Sequence, residues 1–230
     1  MTRRLVAVLV PQVGAGGFPD EALRAAMVED VYETVAALDL VEPALAVDAD
    51  DPVREALESL TWPGTAVVTL PSSTGAASST GAASAGAVST GSSPAASRTW
   101  LTIEALVAAG ADQVTVLAGD APDLPGLLVG KLHRALGSAD VAVLPGSGGG
   151  MVGLATHAPP PDWLAAESTV VDLDHADPVA HLQKAARRRT AVSVGPGWHR
   201  VRTAADLARL DPGLEGWEIT RELLGDARRS

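Results

Sequence analysis

The stretch Gln113-Val114-Thr115-Val116-Leu117-Ala118-Gly119-Asp120-Ala121-Pro122-Asp123-Leu124-Pro125 changes character at its midpoint. Gln113–Ala118 is a β-rich apolar run, the pattern of a strand buried on both faces. It ends in two carboxylates three residues apart, Asp120 and Asp123, each with a proline two positions on. Pro125–Leu136 then reads as a helix. A strand that passes through an acidic turn into a helix is one arm of a crossover unit, and parallel α/β sheets gather their ligands beyond the carboxyl ends of such strands. Two readings of the turn compete. In one, Asp123 simply caps the helix. In the other, both carboxylates belong to a metal and phosphate site, since magnesium favours a few carboxylate oxygens together with waters and substrate phosphates. Capping explains Asp123 and leaves Asp120 unexplained.

The same alternation extends in both directions. Upstream, Leu5–Val10 reads as a buried strand, and Asp20 caps a helix with Leu23, Met27, Val31, Val35 and Leu38 at helical spacing. Ala44–Val47 is a second strand, Asp51-Pro52 opens a second helix and Thr65–Leu70 is a third strand. Leu101–Ala109 is the helix that leads into Gln113. Downstream, Val141–Leu144 and Met151–Ala155 are strands flanking a glycine cluster. Asp177-Pro178 starts a helix ending near Arg189, and Thr190–Val194 is the last strand. Thr203 with Asp206 fits a capping pattern for a helix through Leu210, and the C-terminal tail reads as helical. Strands and helices alternating in this way predict one α/β domain over residues 1–230, a three-layer α/β/α fold with a mostly parallel central sheet.

The alternation breaks over residues 71–98, where Ser73-Thr74-Gly75-Ala76-Ala77-Ser78 is repeated at once as Ser79-Thr80-Gly81-Ala82-Ala83-Ser84. Small polar residues with almost nothing apolar cannot offset ordering entropy, so this segment reads as a flexible insertion; a lid over a site is the alternative.

Composition narrows the function. With 230 residues, 47% of them hydrophobic, the chain can bury a substantial core. At 3% aromatic, that core is built from Ala, Val and Leu. A formal charge of −11 argues against a nucleic-acid binder, which needs a basic face to displace phosphate counterions. It leaves room for a small phosphorylated ligand in a local basic pocket. The absence of cysteine rules out disulfides, thiolate metal sites and a cysteine nucleophile. Met1-Thr2-Arg3-Arg4 before Leu5–Val10 imitates a signal peptide, but the apolar run is short and meets Pro11, so it reads as a strand. No run approaches a membrane span, and a cytoplasmic protein is expected.

Three groups of residues, in order along the chain, carry a resemblance: Gly119–Pro125, then Pro145 leading into Gly149-Gly150, then Thr203-Ala204-Ala205-Asp206-Leu207-Ala208-Arg209-Leu210. Together they resemble the nucleotide-diphospho-sugar transferase superfamily of the glycosyltransferase-A type. More narrowly they are similar to a bacterial glycosyltransferase-like family related to the 2-phospho-lactate guanylyltransferases. The resemblance implies a metal-dependent nucleotidyltransferase or nucleotide-sugar glycosyltransferase acting on a nucleoside triphosphate or nucleotide-sugar and a small acceptor. Asp120 would bind Mg²⁺ or Mn²⁺, with Asp123 supporting it as a second catalytic residue. Pro11, Gly14, Gly16 and Gly17 would wrap the nucleotide with open backbone N–H groups. Gly149 and Gly150 would let the backbone approach the acceptor or sugar.

Three positions depart from the pattern. Pro11–Pro19 contains no Lys or Arg, Gly148 stands where an aspartate usually precedes the paired glycines, and Arg200-Val201-Arg202 replaces an aspartate pair. Loss of one transition-state contact costs about a hundredfold in rate. A catalytically impaired relative retained for nucleotide binding, regulation or interaction is therefore the alternative. Arg200 and Arg202 have two readings of their own: cations that grip a substrate phosphate, or solvated arginines ahead of a helix.

Other motifs have plainer explanations. Gly148-Gly149-Gly150-Met151-Val152-Gly153 spells a dinucleotide fingerprint, but Pro159-Pro160-Pro161 leaves no room for the helix it requires. In the cluster Asp172, Asp174, His175 and Asp177, Asp177 caps the helix before Pro178 and the others read as a solvated loop. His133 reads as a surface residue of its helix.

Overall fold

The computed structural model describes residues 2–14, 17–72 and 96–227; Gly16 and most of the serine-rich insertion, residues 73–95, lie outside them. Helices and strands alternate as β1 (Arg4–Leu9), α1 (Glu21–Ala36), β2 (Glu42–Asp48), α2 (Arg54–Leu60), β3 (Ala66–Leu70), α3 (Arg98–Ala108), β4 (Gln113–Ala118) and α4 (Gly126–Ala135). The second half comprises β5 (Val141–Pro145), β6 (Met151–His157), α5 (Asp162–Ala165), α6 (Pro178–Ala185), β7 (Val192–Val194) and α7 (Glu218–Ala227). The strands form one seven-stranded sheet in the order β3-β2-β1-β4-β6-β5-β7.

Period-two alternation places β1 between two layers. Leu5, Ala7 and Leu9 pack with Trp100, Ile103 and Leu106 of α3 on one face of the sheet. Val6, Val8 and Val10 pack with Val28, Val31 and Val35 of α1 on the other. Both faces are apolar because both are covered, which is the three-layer arrangement the sequence predicts.

The sheet is parallel except at β6, which runs antiparallel to both β4 and β5. The linker 146–150 between β5 and β6 is too short for a crossover and must make a reverse turn. Gly149 (φ +93°) and Gly150 (φ +74°) supply the left-handed conformations that turn needs.

Local signals set three of the helix starts. Asp20 caps α1 by accepting from Leu23 N at 2.8 Å, Ser97 caps α3 and Asp177 caps α6. Two expectations shift. The Thr203/Asp206 capping box forms, but on a short 3-10 turn, Ala204–Arg209, rather than a full helix. The helix from Pro178 stops at Ala185, well before Arg189. Helix α4 starts without a side-chain cap, so the helix-capping explanation of Asp123 fails.

The C-terminal arm folds back across the front of the molecule. Val201, Leu210 and Trp217 pack on Leu23 and Met27 of α1 as a third small cluster. Asp30, buried on α1, accepts from the backbone N–H groups of Ile219 and Thr220 at 3.1 and 2.8 Å, and so caps α7 from another helix.

Candidate functional site

β1 and β4 lie side by side and in parallel, and the two loops that leave their carboxyl ends bound a cleft. Gly119 makes this close approach feasible: a Cβ there would stand 2.8 Å from Val28 Cγ2 and 3.0 Å from Leu9 O. One residue on, Asp120 is buried at the cleft floor. The extended segment Trp198–Arg202 lies along the same edge, held by Val201 N–H to Asp120 O at 2.7 Å and Trp198 N–H to Pro145 O at 3.0 Å.

That segment delivers a guanidinium to Asp120. Arg200 Nε donates to Asp120 Oδ1 at 2.5 Å and Nη2 to Oδ2 at 2.9 Å, a bidentate fork in which both partners are buried. Arg200 Nη1 reaches Asp174 Oδ1 at 2.7 Å and the carbonyls of Met151 and Leu173 at 3.1 Å each. Burial pulls the Arg200 pKa down, but attraction to Asp120 and Asp174 outweighs it and the net shift is upward.

Arg202 stands next to this pair and is far less satisfied. Its Nη2 donates to Asp174 at 2.9 Å, while its Nε is buried without a partner among the described residues. Burial and the neighbouring Arg200 charge lower its pKa against the opposing pull of Asp174. Gly150 provides its seat, since a Cβ at that position would be 2.6 Å from Arg202 Nη2.

Arg200 and Arg202 separate two cavities. The first, about 280 Å³, has Pro11, Gln12, Gly14 and Phe18 on one wall and Asp120, Asp174 and the arginines on the other. The second, about 300 Å³, is lined by Gly146, Gly148 and Gly149 facing Arg202, Asp206 and Arg209. Formal charges balance in the first; the second holds three arginines against one aspartate.

The expected site residues therefore fare differently. Asp120, Arg200 and Arg202 meet in one cleft, with Pro11 and Gly14 opposite and Gly149 in the adjoining cavity. Asp123 points away from it. Its carboxylate accepts from Trp198 Nε1 at 3.1 Å and Asp211 N at 3.1 Å and meets His199 Nε2 at 2.9 Å, so it anchors the C-terminal arm. Nor are the amides of Gly14 and Gly17 open: Gly14 N–H is bonded to Phe18 O at 3.0 Å and Gly17 N–H to Gly14 O at 3.2 Å. Gly150 packs against Arg202 and Leu173 O. Arg200 is neither a solvated arginine nor a freely extended phosphate grip.

Sequence reading missed Asp174, which bridges Arg200 and Arg202 from an exposed position in its loop. It also missed Arg98, the first residue of α3, which binds Asp48 at 2.9 Å and Val10 O at 2.9 Å and brings a cation to the mouth of the lysine- and arginine-free loop. Neither contact leaves a local signal, because the partners stand 26 to 88 residues apart.

The donors do not fit the divalent ion that the resemblance implies. Both oxygens of Asp120 are engaged by Arg200, Asp174 is shared between two arginines and Asp206 closes the Thr203 capping box. Among the described residues, no group of three or more His, Cys, Asp or Glu side chains is placed to hold a metal ion.

No protein-family model and no curated protein matches the chain. Solved structures do. A provisionally named nucleotide-diphospho-sugar transferase from Desulfovibrio desulfuricans is 19% identical over 99% of this chain and 97% of its own, with a TM-score of 0.61. A CMP:2-keto-3-deoxy-manno-octonic acid synthetase complexed with CTP is 15% identical over 90% and 96%, with a TM-score of 0.54. A Mycobacterium tuberculosis protein complexed with manganese is 18% identical over 90% and 97%, with a TM-score of 0.51. The fold is that of nucleotide-diphospho-sugar transferase-like α/β proteins. Among the described residues no helix is long and apolar enough to cross a membrane.

Proposed function

We propose that the chain is a transferase of the nucleotidyltransferase type that takes a nucleoside triphosphate or nucleotide-sugar and a small acceptor. The observation that carries this reading is the arginine-walled cleft beyond the carboxyl ends of β1 and β4, where α/β sheets of this kind bind their ligands. The likeness to a synthetase complexed with CTP supports a nucleotide as the ligand. The narrower likeness to the 2-phospho-lactate guanylyltransferases rests on the sequence motifs.

In nucleotidyl transfer an acceptor oxygen attacks the α-phosphorus; the new P–O bond forms as the bond to pyrophosphate breaks, and the electron pair leaves with pyrophosphate. In glycosyl transfer the acceptor oxygen attacks the anomeric carbon and a nucleoside diphosphate leaves. Either way negative charge grows on phosphate oxygens, and Arg202 and Arg209, on the cation-rich side of the cleft, supply donors for it. Asp120 is a positioning residue: it fixes Arg200. The manganese complex of a neighbour supports a metal in this fold. Among the described residues, the side chains of the cleft leave no free carboxylate set for one.

A second reading, a nucleotide-binding protein without turnover, is favoured by one feature: the Pro11 loop carries no cation of its own. Calorimetric titration with ATP, CTP, GTP and UTP, followed by assay of pyrophosphate release over a panel of phosphorylated and sugar acceptors, separates the two. One nucleotide should bind, and R202Q should weaken it by about tenfold or more, as expected for loss of a charge-assisted hydrogen bond. Binding without release across the panel favours the second reading. No binding removes both.

A further inference from the structure

Five oxygen atoms converge on the guanidinium of Arg200: both of Asp120, one of Asp174 and the carbonyls of Met151 and Leu173. Two carboxylates and two main-chain carbonyls are the donor chemistry that hard divalent cations take. These donors come from three separate places in the chain, the turn after β4, the start of β6 and the adjacent Leu173 and Asp174 of the loop before α6, and they surround the Arg200 guanidinium. Such a cage does not stand empty in a folded protein, because the Asp120 carboxylate at its floor is buried and costly to leave uncompensated, whereas Asp174 closes it from the solvent side. Here the charge that fills it arrives covalently attached.

We propose that this cage is a cation site whose resident ion is the Arg200 side chain, so that the cleft takes a phosphorylated ligand without a divalent metal. An arginine stays protonated at every working pH, so the occupant cannot be titrated away or chelated. The fork on Asp120 engages two of its five N–H donors and Nη1 directs its own two at Asp174 and the Met151 and Leu173 carbonyls, while Nη2 retains a second hydrogen beyond its bond to Oδ2. Arg202, with its unpartnered Nε, extends the same positive surface into the adjoining cavity. An incoming phosphate would supply a second negative partner beside Asp174 and an acceptor for the Nε that has none among the described residues.

The cage claim stands on its own; only the phosphate claim rests on the transferase reading, and the test separates them. Mn²⁺ alone is titrated into the wild-type chain and into R200A and R200K, with binding read by electron paramagnetic resonance. The wild type and R200K, whose cages hold a side-chain cation, should show no stoichiometric Mn²⁺ site. R200A should gain one, tighter by at least about tenfold than any wild-type binding. A stoichiometric wild-type site that D120N abolishes overturns the proposal, and this arm decides even if R200A fails to fold. Pyrophosphate is then titrated into the wild type in EDTA and in Mn²⁺. Binding retained in EDTA, and weakened in R202Q, is the expected result; binding that demands Mn²⁺ overturns the proposal. Pyrophosphate bound in neither condition sinks the phosphate half together with the transferase reading, while the cage is still judged by the Mn²⁺ arm.

Discussion

Asp120 and Asp123 share one turn, yet three residues of spacing give them different partners on the Trp198–Arg202 segment. Asp120 meets Arg200 at the cleft, and Asp123 meets Trp198, His199 and Asp211. The turn thus grips the C-terminal arm with both carboxylates. A buried ion pair is expensive to break from one side and cheap to replace as a whole. Accordingly, D120L or R200M alone should each lower the unfolding free energy by about 3–5 kcal/mol, and the D120L/R200M double variant should lose distinctly less than the two singles added together. Urea denaturation of the four proteins measures this. Additive losses would show that the two side chains do not act as a pair.

Helix α4 shows where periodicity misleads. His133 was expected on its surface, but it is buried against β4, with Nε2 at 3.4 Å from Thr115 Oγ1 and Nδ1 without a partner among the described residues. Burial, and secondarily the Arg4 charge, depress its pKa from 6.5 to about 4. The unfolded chain therefore takes up this proton first as the pH falls. The contribution of His133 to stability is full above pH 6.5 and is lost progressively down to about pH 4, a loss of about 3 kcal/mol. H133L should flatten the pH dependence of the urea midpoint across that window. An unchanged slope would mean that His133 titrates normally in the folded state.

Across the whole molecule, the site exists because the C-terminal arm returns to the middle of the chain. Its hold on α1 depends on the third apolar cluster and on Asp30, which caps α7 from 189 and 190 residues away in sequence. D30A should cost about 1–2 kcal/mol, the usual value of a lost cap. Hydrogen exchange should quicken in the α7 amides and leave β1 and β4 unchanged. Equal acceleration in the sheet would show that the arm and the core unfold as one unit.

Apolar runs and caps were enough to read the α/β alternation, the strand Gln113–Ala118, the starts of α1 and α6 and the glycine turn, because each of these depends on residues a few positions apart. They also placed Asp120 at the end of a strand facing a cleft. Which group sits on that carboxylate was beyond them: Arg200 is 80 residues away and Asp174 joins from a third segment, so only packing of the sheet edge brings the charges together. The antiparallel entry of β6 and the burial of His133 and Arg200 were decided in the same way. Pairing energies between distant segments are properties of the assembled chain, and local propensity carries no term for them.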